Sequence, residues 1–292
     1  MYYVVYGFLW LFSLLPLRVL YLISDFASFI ISSVVKYRRD IVLDNLRHAF
    51  PTKSEEELLK IAKRFYRNLT DTFIETIKML SVSDRFLEKH FSGNWEVINN
   101  LKPTGRKVQV HMGHNFNWEW GNAVAAKKLN FPFIGAYMPL KNKIFERLFY
   151  ELRSKSGTLL VRATKMGPDM LPYRNTQYMI GLVADQNPGH PASGLWFHFL
   201  GRPAPFLSRP AKYAIANDCA VVFAFIHKKK RGYYEIVFEL MEEKAETTTE
   251  IALTTKFVHY MQHVIETYPD MWLWSHRRWK HKWKEEYGPV LD

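Results

Sequence analysis

The chain has 292 residues, of which 48% are apolar and 16% aromatic, and its net charge is +12. That apolar share supports a sizeable core and excludes a disordered chain, while the single cysteine, Cys219, excludes an internal disulfide and a cysteine-based zinc cluster. The positive balance points to nucleic acid, an anionic membrane surface or an acidic partner.

Residues 1–36 read as a membrane-associating helical segment. They are almost entirely apolar, with Arg18, Asp25 and the closing Lys36 as the only charges. A secretory signal would need a basic start and a small-residue cleavage site, and neither is present. Two arrangements fit: a hairpin kinked at Pro16 that lies in one leaflet, or a single tilted span with Arg18 snorkelling. The cluster Lys36-Tyr37-Arg38-Arg39 follows at once, and positive charge beside an apolar segment marks the cytoplasmic side.

Residues 37–292 read as one domain, with a helical cover over 40–92 and an α/β core over 106–292. One cover helix ends at Phe50-Pro51. Ser54-Glu55-Glu56-Glu57 is a capping box for the next, over 55–80, with a core face through Leu58, Ile61, Ala62, Phe65, Leu69, Thr72, Phe73 and Ile77. His48 and His90 read as structural. Beyond Arg106, strands are predicted at 107–111, 132–137, 158–161, 178–184, 219–226 and 233–240. Helices are predicted at 118–128, 141–154, 165–172, 207–217 and 249–266. The alternation predicts a mixed, mainly parallel sheet flanked by helices, with a hairpin at Gly232. Cys219 opens an apolar strand, so its thiol should be buried and inert.

The first core strand leads into His111-Met-Gly-His114-Asn-Phe-Asn117-Trp118-Glu119, just before the first core helix. Strand-to-helix turns present side chains and free N–H groups to ligands. His114 and Glu119 have four residues between them, close enough for the carboxylate to fix the imidazole tautomer and leave the other ring nitrogen to accept a proton. No Gly-x-Ser-x-Gly elbow or other nucleophile accompanies them, so direct attack by a substrate hydroxyl fits better than an acyl-enzyme. His111-x-x-His114 lacks the helical i, i+4 spacing of zinc hydrolases, and no metal is expected. Arg153 and Arg162, at element ends, are candidate phosphate clamps; Asp185 ends an apolar strand, where α/β sheets bind ligands. Trp272, Trp274 and Trp279 stand among cations, a pattern suited to a membrane interface, an anionic head group or nucleic acid.

These blocks, in this order, resemble the bacterial lipid A biosynthesis acyltransferases, the late acyltransferases that add secondary acyl chains to a Kdo–lipid A precursor, within the glycerolipid acyltransferase superfamily. The resemblance is carried by Asn45-Leu46…Phe50-Pro51, by His114…Glu119 as the family's His-x4-Asp/Glu signature, and by Tyr137-Met-Pro139, Leu152-Arg153-Ser154, Asp185-Gln186 and Trp274-Ser-His276-Arg277-Arg278. It implies a membrane-bound O-acyltransferase at the inner (cytoplasmic) membrane, with its catalytic domain on the cytoplasmic face. His114 would be the general base, with Glu119 orienting it. Arg153 and Arg162 would hold phosphate, and Asp185 would support the acceptor side. Asn115 and Asn117, or a backbone N–H at the helix start, would bind the thioester oxyanion. The implied co-substrate is acyl-acyl carrier protein or acyl-coenzyme A, with no further cofactor. The partners are a lipid acceptor in the membrane, acyl carrier protein and an anionic membrane surface, and not nucleic acid. Two readings stay beside it: an acyltransferase for a lysophospholipid, amino-acid lipid or glycolipid, and a non-catalytic basic module that binds membrane or nucleic acid.

Overall fold

The chain begins with two apolar helices, α1 (Tyr2–Ser13) and α2 (Leu17–Phe29), broken at Pro16, which has no N–H to continue the ladder. Carbonyls left unpaired at the break are met by Lys78, whose Nζ donates to Ser13 O (2.7 Å) and Leu15 O (3.0 Å). α2 runs on into a π-helical turn at Ile30–Val34, and Leu17–Val34 is long and apolar enough to cross a membrane. One face of α2 is buried through Leu20, Ser24 and Ser28, while Leu22, Phe26 and Phe29 are exposed. The coordinates are a computed structural model and describe all 292 residues.

Three helices follow: α3 (Arg39–Ala49), α4 (Glu55–Lys78) and α5 (Asp84–His90). The capping box at Ser54 is complete in both directions. The helical face read for α4 is buried from Leu58 to Leu69, but Phe73 is 60% exposed and borders two cavities instead of entering the core. α2 lies against α4, and the two are clamped by Arg231, which bonds Asp25 (2.8 and 2.9 Å) and buried Asp71 (2.6 and 3.0 Å). Arg231 sits in a hairpin turn with Gly232 at φ +77°, and a Cβ there would meet the Tyr21 hydroxyl at 2.5 Å. Glycine meets both constraints, the left-handed backbone and the close approach.

After the short β1 (Phe91–Gly93) and α6 (Glu96–Asn99), strands and helices alternate: β2 (Val108–Met112), α7 (Trp118–Lys128), β3 (Phe133–Tyr137), α8 (Lys143–Ser154), β4 (Leu159–Arg162), α9 (Met166–Met170) and β5 (Met179–Val183). A hairpin of β6 (Gly194–Phe199) and β7 (Arg202–Leu207) precedes α10 (Arg209–Ala216), β8 (Ala220–Lys230), β9 (Tyr233–Glu242), α11 (Glu250–Thr267) and β10 (Val290–Leu291). The main sheet has the order β1-β9-β8-β2-β5-β3-β4 and is parallel except for the β8–β9 hairpin. This is the mixed, mainly parallel sheet expected, and all six anticipated strands are present. The second sheet, β10-β6-β7, was not anticipated. Pro203 and Pro205 hide β7 from a propensity reading; an edge strand accommodates them because only one of its sides is paired. One cluster of 58 buried residues runs from Val42 in α3 to Trp274, so the helical cover and the sheet share a core.

Candidate active site

The site is built at the carboxyl ends of two neighbouring parallel strands. β2 and β5 pair in register, Met112 opposite Val183. Two residues beyond each lie His114 and Asp185, which therefore arrive at the same level. His114 Nδ1–H donates to Asp185 Oδ1 (2.6 Å), and the His114 backbone N–H donates to Oδ2 (2.9 Å). Gly113 permits the approach: a Cβ there would overlap the Met261 side chain and crowd Asp185 Oδ2 at 3.3 Å. Asp185 is 1% exposed, and the carboxylate accepts a third bond, at Oδ2, from Trp272 Nε1 (2.6 Å). Burial alone would raise its carboxyl; the neighbouring His114 and these three donors override that and hold it down to about 2. An ionised carboxylate can only accept, so Nδ1 carries the proton and Nε2 carries the lone pair. Nε2 has no partner in the protein.

Asp185, and not Glu119, is therefore the group that orients His114. Glu119, 3% exposed, is engaged by Arg153 in a forked pair: Nη2 to Oε1 at 2.6 Å and Nε to Oε2 at 2.9 Å. Glu119 Oε1 also accepts from Trp118 Nε1 (3.1 Å), and the Trp118 ring stands edge-on to the His114 ring at 6.4 Å. Glu119 thus fixes Trp118 and α8 beside the imidazole.

Both ends of the Asn117 side chain are engaged within the fold. Asn117 is fully buried with φ +65° and caps α7, its Oδ1 accepting from Trp120 N (3.3 Å). Its Nδ2 donates to Glu75 Oε2 (2.8 Å), which also accepts from Tyr234 (2.8 Å), while Tyr21 donates to Oε1 (2.6 Å). Burial, helped by the neighbouring Asp71, pushes the Glu75 carboxyl up to about 8 despite these donors. Asn115 Nδ2 donates to Met271 O (3.3 Å). The N–H groups of Trp118 and Glu119, in the first turn of α7, have no protein acceptor. Arg162 does not reach the dyad: its guanidinium forks onto Asp169 at 2.5 and 2.7 Å. His111 points to the other face of the sheet, bonded to the Gln109 amide and stacked on Phe223, and burial pushes its imidazole down to about 3.

The aromatic-basic segment near the C-terminus is structural where the sequence suggested a surface. Trp272 and Trp274 are buried, and the first of them braces Asp185. Buried Asn45 of α3 donates to both Trp274 O and His276 O at 2.8 Å, and Arg38 donates to Ser275 O at 2.9 Å. Arg278, also buried, donates to Asn187 Oδ1 (2.6 Å) and lies 4.2 Å over the Phe206 ring. The Asn45, Asp185 and Trp274–Arg278 blocks, far apart in the chain, converge on one loop behind His114. The sequence singled out the Trp272 segment for an interface or an anionic head group, not as the donor that braces Asp185.

In front of His114 lies a cavity of about 310 Å3 between α7 and the sheet. His114, Trp118, Glu119 and Arg153 stand at its polar part; Val110, Phe133, Leu160, Met179, Ile226 and Phe238 make it apolar elsewhere. Gly121, Gly135 and Gly181 leave it open between the flanking layers.

No curated protein matches the chain at a significant level. Residues 1–281 of the 292 match the sequence profile of the family described as bacterial lipid A biosynthesis acyltransferase, and the chain belongs to that family and is an acyltransferase.

Proposed function

We propose that the protein moves a fatty acyl chain from an acyl thioester to a hydroxyl of a lipid A precursor, by direct attack with His114 as base. The observation that carries this reading is the His114–Asp185 pair, whose histidine keeps Nε2 free and lines a mostly apolar cavity. The acceptor hydroxyl gives its proton to Nε2 as its oxygen bonds to the thioester carbon. Asp185 stabilises the imidazolium that forms. The tetrahedral intermediate expels the thiolate, which takes the proton back from His114, leaving an ester and a free thiol. The unpaired N–H groups of Trp118 and Glu119 suit the oxyanion, in place of the Asn117 side chain. The donor's acyl chain occupies the 310 Å3 cavity. Arg153 keeps one guanidinium nitrogen, Nη1, without a protein acceptor and supplies positive charge next to the thioester. The net charge of +12 favours an acidic donor carrier such as acyl carrier protein over a neutral one. The apolar α1–α2 pair followed by Lys36, Arg38 and Arg39 fits a chain held at the inner membrane with its catalytic domain on the cytoplasmic face.

The test is transfer of radiolabelled acyl chain from acyl carrier protein to the Kdo–lipid A precursor by the purified protein. The wild type should form the acylated lipid. Equal rates in the wild type and His114→Ala would refute the role given to the imidazole.

A further inference from the structure

Trp118 separates two cavities. The smaller, already described, runs between α7 and the sheet. The larger, about 630 Å3, lies between α2 and α4, and Trp118 is the one residue that lines both. Its long walls are apolar: Ala27 and Ile31 from α2 and its π-turn, Val35 just after them, and Leu69, Phe73 and Ile74 from α4. Its other end is polar and carries Arg38, Gln186, Ser275 and His276. That polar end abuts the dyad, because Gln186 follows Asp185 in the chain and His276 is joined to the same loop through Asn187. Val35 and Phe73 are 64% and 60% exposed, so the apolar end opens where α2 also exposes Phe26 and Phe29.

A two-lipid reaction must bring the hydroxyl of one amphiphile and the thioester carbon of another to a single imidazole. Were both chains to share one apolar slot, each would exclude the other. Two slots that meet at one side chain remove that competition. The larger one also has the polarity of a lipid, apolar along its length and cationic at the end nearest the base. Arg38 has no carboxylate partner, and only one of its nitrogens is engaged, on Ser275 O.

We propose that this groove binds the acceptor lipid, with a hydrocarbon chain between α2 and α4 and its anionic head group at Arg38, which sets the acylated hydroxyl at His114 Nε2. Trp118 is the partition that keeps acceptor and donor chains apart. The assignment rests on the reading of His114 as the transfer base, and it makes the α1–α2 pair part of the substrate site as well as a membrane contact.

The test measures equilibrium binding on the His114→Ala background, where no turnover interferes. The probes are radiolabelled Kdo–lipid A precursor and, separately, an acyl-pantetheine thioester, both in detergent micelles. Ala27→Trp fills the groove from its half-buried α2 wall. It should weaken precursor binding at least tenfold and leave thioester binding within twofold. Phe73→Ser, at a largely exposed position, should give the same split to a smaller degree. Equal losses for both probes, or unchanged precursor binding in both variants, would overturn the groove. A wild type that transfers no acyl chain while the binding split persists would remove the reaction and leave the lipid site standing.

Discussion

The strand-end region around Asp185 and the helix-start region around Glu119 each place a buried carboxylate beside the same loop, and they do different work. Asp185 accepts three hydrogen bonds, two of them from His114, and stays ionised in a site that burial alone would make neutral. Glu119 meets the permanent cation Arg153 in a forked pair and touches His114 only through Trp118. The proximity of an acid to a histidine in sequence therefore says little about which acid sets its tautomer. Strand register does, since equal overshoot from two paired strands brings His114 and Asp185 together across 71 positions.

The largest expected effects test the first region. Asp185→Asn must place its amide either against the His114 and Trp272 N–H groups, two donors facing a donor, or against Nδ1. The second arrangement moves the ring proton to Nε2 and abolishes the base. Transfer should fall by about 10²–10⁴-fold, as for His114→Ala. The double variant should be no worse than either single one, because both remove one unit. Additive losses measured by single-turnover acyl transfer would separate the two residues again.

Glu119 should behave otherwise. Glu119→Ala strands a largely buried guanidinium, at a cost of about 3–5 kcal/mol, and should abolish transfer through the lost placement of Trp118 and α8. Glu119→Gln keeps an acceptor for Arg153 and should lose only about 10–100-fold, with the strongest coupling in a double-mutant cycle to Arg153 and not to His114. A Gln variant as inactive as Asp185→Asn would collapse the distinction between the two regions.

The cavity gives a smaller and more selective effect. A Cβ at Gly181 would lie 3.6 Å from the Phe133 ring, an ordinary contact, so Gly181→Ala fits the fold while taking space from the cavity. Donor preference should move to shorter chains, with about 10-fold or more discrimination against each excess methylene. Competition between thioesters of different chain length is the measurement. An unchanged preference would put the donor chain elsewhere.

How much of this was legible beforehand follows from the physics of each signal. An alternating run shows the strand Val108–Met112 and an unbroken apolar run shows the first part of Ala220–Lys230, while the Ser54 box shows where α4 starts. His114 stands out because it is local to one strand end and one helix start. Asp185 reads as a strand-end polar group, but its partner does not show in the sequence, because partnership depends on β2 and β5 being neighbours in the sheet. Asn117 looked free because a sequence does not show Glu75 approaching from α4, nor Asp169 closing on Arg162. The tryptophans near 272–279 looked like a surface because cations flank them; Asn45 and Asp185, which bury them, come from distant segments. Buried polar pairs of high sequence separation are what local patterning cannot supply.

A third carboxylate sharpens the comparison with the smallest expected effect. Glu75 is as buried as Asp185, and it also accepts three hydrogen bonds, but its donors are neutral and Asp71 is near, so its carboxyl is pushed up to about 8. The folded protein therefore keeps this proton over a range where the unfolded chain, with an ordinary carboxyl near 4.5, has lost it. Where the native state binds more protons, stability falls as pH rises. Glu75 thus contributes a decline in stability between about pH 4.5 and 8, the reverse of Asp185, whose contribution is lost only as pH falls through about 3.8 towards 2. Glu75→Gln is close to the protonated wild type in shape and cannot titrate. Its melting temperature should match the wild type near pH 5 and exceed it by a few degrees near pH 9 in detergent melts. A difference that stays constant across that range would mean that Glu75 is already ionised at pH 5, held by its three donors as Asp185 is held by its own.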